Sequence, residues 1–292
     1  MATLPPYSEL AGQFSRAESL PQSSKSPLRL SQLLDDGDAS AQAIESVVLQ
    51  DPALTAGVLK AASSAMFGRA RPCATVRDAV MVLGFRNLRA IAVALWTKAL
   101  VTEGTHRSQM DRDRYAHNGA FVGNLAALIL RETHAQGRKS GWSPEELYAA
   151  GVLHHVGAGL LSLLRPEVFD PLYIVAQAKN VRLHQTFLMH YGHSLDELGA
   201  TALRTMGLPE QFGLALAQLD AREVEPEHEI PLAALAVARL TAEAEGLGLE
   251  KVTLAAEIRP EDAERLGLDA MDLPQLIHTA RQAVIQSGIR TA

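Results

Sequence analysis

Two adjacent imidazoles, His154 and His155, end an apolar, Ala-rich stretch and are followed at once by Val156-Gly157-Ala158-Gly159. Neutral imidazole is a metal ligand and a proton carrier near neutral pH. Glycines this close to it mark a break where backbone passes near side chains. The pair reads either as the remains of a metal site or as a polar plug in a core. Neighbours on a continuing helix point about 100° apart, so the two rings would not easily share one ion; His155 is expected at the surface. His184, His190 and His193 lie near one another in sequence, with Gly192 breaking the face that His190 and His193 would share, and they read as a solvated edge. Arg69, Arg71, Arg86 and Arg89 give the first half a basic character, either scattered solvated charge or a surface for an anionic ligand or acidic partner.

The elements that must position the histidine pair begin with Ser143-Pro144-Glu145-Glu146. Ser at the N-cap, Pro at the first helical position and Glu three residues after the Ser form a capping box with a preorganised first turn. The helix it starts carries Leu147 to Leu153 into the pair. Pro166 ends the next helix, Leu160–Leu164, and shorter helices are expected over 171–178 and 183–191. Ser194 to Glu197 is another capping box, opening a helix that stops at Gly207. Further upstream, Leu30, Leu33 and Leu34 mark one helix and Ile44, Val47 and Val48 a second. Asp51-Pro52 caps a third, Thr75 to Asp78 opens a fourth, and Gly84 separates that one from a long apolar helix over 85–100. A helix over 115–134 carries Phe121, Leu125, Leu128 and Ile129 on one side. Trp96 and Trp142 read as core or interface anchors, and Ser63 and Ser64 as hydrogen-bonding partners for a helix end.

Nearly every segment has the 3.6-residue period and strong caps, and alternating β-branched runs are missing. The fold class expected is all-α, about a dozen helices in two packed subdomains. The expected division is an N-terminal, partly disordered arm at 1–27, a helical subdomain at 28–108, a second at 109–222 containing the histidine pair, and C-terminal helices at 223–292 packed on it. The arm holds four of the fourteen prolines. The polar segment 102–113 marks the boundary between the halves, and the groove there is the expected place for a ligand or partner.

At 292 residues the chain can bury a sizeable core, and 47% hydrophobic with 21% charged residues is ordinary for a globular protein. No run of 18 or more uncharged apolar residues is present, so no transmembrane helix is expected. The N-terminal sequence lacks a basic region followed by an apolar stretch. Cys73 is the single cysteine, which excludes an internal disulfide and fits a cytoplasmic location. A net charge of −6 argues against non-specific nucleic-acid binding.

Five stretches in order resemble one family. Ile44 to Leu59, with its Asp51-Pro52-Ala53-Leu54-Thr55 core, is similar to the DPxLtxxvL motif of the HDOD family, the HD-related output domains of bacterial signalling proteins. Ala62 to Gly68 resembles the family's next motif, with Ser63 where Asn is usual. Thr75 to Gly84 resembles the third, Ala150-Gly151-Val152-Leu153-His154-His155-Val156-Gly157 the aGLLHdiG motif, and Glu197-Leu198-Gly199-Ala200 with Gly207-Leu208-Pro209 the last. The resemblance spans roughly residues 20–220.

The resemblance implies descent from metal-dependent phosphohydrolases, in which histidines and aspartates hold a metal that makes a nucleophile of bound water. Carried over by position, the first His is His117 and the His of the His-Asp pair is His154. The Asp of that pair is His155 here, and the later ligand positions fall on Leu195 and on Leu219-Asp220. A carboxylate is lost and hydrocarbon stands where ligands are expected, so the centre is expected to be degenerate, with no metal and no cofactor. The implied role is a non-catalytic regulatory module that binds a signalling partner or small ligand. The alternatives are a divergent metal-dependent phosphohydrolase of nucleotides or cyclic dinucleotides, and a nucleic-acid-associated regulator.

Overall fold

The computed structural model describes residues 4–14, 25–35, 39–62, 73, 75–103, 108–219, 224–251 and 257–286. Within them the chain forms helices and no strand. The helices are α1 (Tyr7–Phe14), α2 (Lys25–Asp35), α3 (Ala41–Leu49), α4 (Pro52–Ala62), α5 (Val76–Glu103), α6 (Arg112–Ala135), α7 (Pro144–Leu153) and α8 (Val156–Leu164). They continue as α9 (Pro166–Lys179), α10 (Leu183–Tyr191), α11 (Leu195–Thr205), α12 (Glu210–Gln218), α13 (Glu229–Ala244), α14 (Pro260–Leu266) and α15 (Leu273–Gln286).

The local signals act as their chemistry requires. Asp51 Oδ1 accepts from the Ala53 and Leu54 amides and so caps α4. The Ser143–Glu146 and Ser194–Glu197 capping boxes both close, at the starts of α7 and α11. Gly84 interrupts α5 with φ of 68°, a backbone state glycine adopts without steric cost, so the two helices expected here run on across a kink. One difference concerns Pro171. It lies inside α9, which already begins at Pro166, and does not start a helix of its own. Pro166 provides the start because its missing amide falls in the first turn, where no intrahelical partner exists.

Two cores form. The smaller gathers Leu30, Ile44, Val48, Leu54, Val58 and Leu83 from α2 to α5. The larger is built on α6, α7, α8, α11 and α13 and includes both tryptophans. α5 separates them, with Leu88 and Ile91 in the smaller core and Val93 and Trp96 in the larger. Residues 7–14 of the N-terminal arm are a docked helix: Leu10 and Phe14 are fully buried in the larger core. Val76–Thr97 and Pro144–Leu164 are long and apolar enough to cross a membrane, but 56% and 72% of their most apolar windows are buried within the protein. That burial accounts for their hydropathy.

α6 and α7 make the closest helix pair. A Cβ on Gly151 would fall within contact distance of the Gly123 backbone, and one on Gly123 would lie 2.7 Å from the Tyr148 carbonyl oxygen. Across the two cores, Glu146 is the polar hub. Its buried carboxylate accepts from Arg86 Nε at 2.7 Å, from Gln211 Nε2 at 2.9 Å and from the Ser143 amide at 2.8 Å. Arg86 and Ser143 together hold its pKa below the usual carboxylate range, although burial alone pulls the other way more strongly than any one of them. Arg89 pairs with Asp35 at 2.5 Å. Of the two readings of these arginines, Arg86 and Arg89 are each paired with a carboxylate, Glu146 and Asp35, and so do not present free cationic charge for an anionic ligand; Arg69 and Arg71 lie outside the described residues.

Two outcomes are expected from denaturant unfolding. Gly151→Ala loses about 3 kcal/mol, because a backbone-to-backbone contact cannot relax as a side chain can. Arg86→Ala costs about 2 to 3 kcal/mol, more than Glu146→Gln, because it leaves a carboxylate buried with too few donors.

Candidate functional site

The histidine pair occupies a true break between helices. His154 is the C-cap of α7 in αR geometry, and His155, with φ of −108° and ψ of 19°, leads into α8. Because the helix does not continue through them, the rings do not diverge. Their centroids are 3.9 Å apart. His155 is half-buried and faces inward, not at the surface as expected, because the break turns it toward the same cavity as His154.

That cavity holds about 30 Å³ of accessible space, room for one or two water molecules. Its walls come from four directions. The α7–α8 break gives His154 and His155, and the start of α10 gives Arg182 and His184. The start of α11 gives Leu195 and Asp196, and the C-terminal region gives Arg239 and Glu243 of α13 together with Leu249 and Glu250. Gly157 lets α8 close on the Leu195 carbonyl, which brings the start of α11 to the cavity.

Most charges here are matched. Arg182 grips Glu243 through two bonds, at 2.9 and 2.5 Å. His184 faces Asp196 at 3.5 Å. The histidine pair is different. His154 Nδ1–H donates to the Gly151 carbonyl at 2.5 Å, which fixes the tautomer and leaves Nε2 as a bare lone pair. Nε2 is buried and has no hydrogen-bond partner. Burial, with help from the Arg239 charge, pushes the His154 pKa down to about 4. His155 is pushed well below its ordinary value by burial first, then by His154, Arg239, Arg182 and His184. Burial raises the Glu250 pKa, while its bond from the Leu183 amide opposes the shift.

The other expected positions do not join this set. His117 is buried on α6 and is not part of the cavity wall. Leu195 is buried in the wall and presents hydrocarbon. Asp220 lies outside the described residues, as do Ser63 and Ser64. His184 lines the cavity and does not belong to the solvated edge; His190 and His193 are exposed. The cavity is also not the groove expected at 102–113. Arg182, Asp196, Arg239, Glu243 and Glu250 carried no signal in the sequence. Asp196 could have been noticed, one residue from an expected ligand position.

The donor set does not fit the metal of a phosphohydrolase. The carboxylate of the pair is absent, Leu195 offers no ligand, and two guanidinium groups line the same small space. Among the described residues, the one cluster of three ligand atoms within a single ion's reach is Glu225, Glu227 and His228, away from this cavity. There Trp142 Nε1–H donates to His228 Nδ1 at 3.4 Å, so the ring proton of a neutral His228 sits on Nε2, facing Glu227 at 3.4 Å. That is a hydrogen-bonded pair and not a free ligand nitrogen.

Fold and site together define an all-α protein of the HD-related type. The HDOD domain profile matches residues 20–221, and the chain belongs to the HDOD family. An HDOD domain protein of unknown function from Geobacter sulfurreducens superposes with a TM-score of 0.71 at 24% identity, covering 94% of this chain and 96% of that one. A protein from Marinobacter aquaeolei VT8, provisionally named for signal transduction, gives 0.69 at 19% identity over 99% of this chain and 62% of that one. One from Shewanella amazonensis SB2B, provisionally named a phosphohydrolase, gives 0.66 at 18% identity over 96% and 98%. An uncharacterized protein of Treponema pallidum (strain Nichols) is 26% identical over 198 residues; that match covers 67% of this chain and 36% of the relative's length.

The depressed His154 pKa sets a pH dependence. Above pH 6.5 the ring is neutral in both folded and unfolded chains and adds no pH-dependent term. As pH falls from 6.5 toward 4, the unfolded chain takes up the proton first, and stability drops. The loss from this residue alone is about 3 kcal/mol when both states are protonated. Denaturation from pH 7 to 4 should show this slope, and His154→Gln should flatten it.

Proposed function

We propose that this chain is a non-catalytic regulatory module of the bacterial cytoplasm, acting through a signalling protein partner or a small ligand, with its HD-type metal centre dismantled. The chain belongs to the HDOD family, and a structural neighbour from Marinobacter aquaeolei VT8 is provisionally named for signal transduction. The observation that carries the reading is the closure of the centre. His155 stands where the family has Asp, Leu195 fills a ligand position, and about 30 Å³ remains. Sites for nucleotide-sized ligands run to several hundred Å³, roughly tenfold more. The polar groups are turned on one another, as Arg182 with Glu243 and His184 with Asp196, and not toward an open substrate site. The pairing of Arg86 with Glu146 and Arg89 with Asp35 likewise speaks against a nucleic-acid surface on α5.

One observation favours a second reading, a divergent metal-dependent phosphohydrolase: the buried His154 Nε2 lone pair, oriented by its Nδ1–H bond as metal-binding imidazoles are. Metal content separates the two. Elemental analysis of the protein, purified without added metal and dialysed against a mild chelator, is expected to show no stoichiometric iron, manganese or zinc. Cyclic-dinucleotide and nucleotide hydrolysis should be absent with those metals added. One equivalent of metal, lost in His154→Ala, would overturn the reading.

A further inference from the structure

The chain that follows α13 is irregular, yet its carbonyl groups are met one after another by side chains of distant helices. Arg114 of α6 donates from Nη2 to Gly246 at 2.6 Å, from Nε to Gly248 at 2.6 Å and from Nη2 to Glu250 at 3.4 Å. Asn118, one turn further along α6, donates to the Leu247 carbonyl at 2.8 Å. The Tyr173 hydroxyl of α9 donates to that of Leu249 at 3.2 Å. Five consecutive carbonyls are thus held from outside the segment. Its side chains then turn inward: Leu249 and Glu250 are buried and form one wall of the cavity over His154 and His155. Glu250 Oε1 accepts from the Leu183 amide at 2.8 Å, at the N-terminus of α10, where the backbone amides favour a carboxylate.

We infer that residues 246–250 are a strap that closes the His154–His155 cavity and releases as one unit, so that access to the cavity is gated by the strap. Release as a unit follows from the wiring. One guanidinium serves three of the five carbonyls, so letting go of Arg114 loosens the segment along its whole length at once, with the α13 end as its hinge and the Glu250 bond to the Leu183 amide as its last tie. The segment contributes no regular secondary structure to the core. Its first residues stay tied to α13 through the Gly246 amide on the Glu243 carbonyl and the Leu247 amide on that of Ala242, with Leu247 against the core; beyond them the attachment is side-chain hydrogen bonds plus Leu249, the kind of element that opens locally below the free energy of global unfolding. With the strap in place, the cavity admits a water molecule or two, and a larger group reaches His154 Nε2 only after the strap lifts. This goes beyond the binding reading, because it concerns how the cavity is opened and not what it binds.

Acylation of neutral imidazole by diethyl pyrocarbonate, followed residue by residue with peptide mass spectrometry on chelator-dialysed full-length protein, tests the strap. In the wild type, His154 and His155 should label far more slowly than the exposed His190 and His193. In Arg114→Ala, labelling of His154 and His155 should rise about tenfold or more, the scale expected when a local opening replaces a closed state. His117, buried on α6 outside the cavity, should stay slow, and the thermal unfolding transition should stay cooperative. If Arg114→Ala does not fold, Tyr173→Phe and Asn118→Ala each cut one tie, and smaller rises at His154 and His155 alone are expected. The inference is overturned if the wild-type pair labels as fast as His193. It also fails if a folded variant shows no rise, or if His117 rises in step, which would mean general loosening. A retained metal would slow His154 in every variant and show in elemental analysis, so it would overturn the binding reading and leave the comparison of His155 with His117 to judge the strap.

Discussion

Helices α6 and α7 approach until backbone meets backbone at Gly123 and Gly151, and the site depends on that contact. A single added methyl group on either residue would push the helices apart. With the approach allowed, α7 lies flat on α6 with its end buried in the larger core. The chain must then leave a buried helix end, and it does so through two polar side chains. His154 meets one carbonyl of the last turn, at Gly151, with its Nδ1–H. His155 turns the chain into α8, whose own glycine, Gly157, permits a second close approach, to α11. The cavity is what remains between these glycine-mediated contacts.

The charges of the molecule follow one rule at two places. Glu146, nearly inaccessible, carries its charge because donors surround it from α5, from α12 and from its own capping box. In the cavity, the carboxylates of Glu243 and Asp196 are matched by Arg182 and His184. A buried charge without a partner costs several kcal/mol, so such pairs are what a folded chain retains. His154 and His155 obey the rule by another route: burial and the nearby arginines keep them neutral. A buried imidazole that stays neutral contributes a lone pair and no charge.

What the sequence made legible was local. Capping boxes at Ser143 and Ser194, the Asp51 cap and the Gly84 break act within four residues, and each appears in the fold where its spacing placed it. The 3.6-residue period, also short-range, carried the all-α fold, and the short family motifs carried the family. What could not be read was anything set by the meeting of remote segments. The inward turn of His155 depends on where the break falls: the glycines signalled a break, but not that it lies at the two histidines themselves and turns both rings the same way. The pairing of Arg182 with Glu243 spans 61 residues, and Arg86 with Glu146 spans 60. No spacing rule connects such positions. Family position likewise placed His117 with His154, while in the fold His117 is buried but is not part of the cavity wall.

The least legible part is also the part that gives the cavity its present character. Arg239, Glu243, Leu249 and Glu250 all lie beyond residue 221, where the family match ends. They are supplied by the C-terminal region to a centre whose histidines belong to the family portion. Arg239 acts on both histidines as a fixed positive charge, lowering each pKa. The same field that disfavours a proton on His155 disfavours a divalent cation there, with twice the charge and in a space where water screens little. The same region also brings the carboxylates of Glu243 and Glu250 to the wall, Glu243 paired with Arg182, so it sets charges of both signs beside the two histidines. The shared wall ties the histidine pair to the C-terminal region as parts of one site.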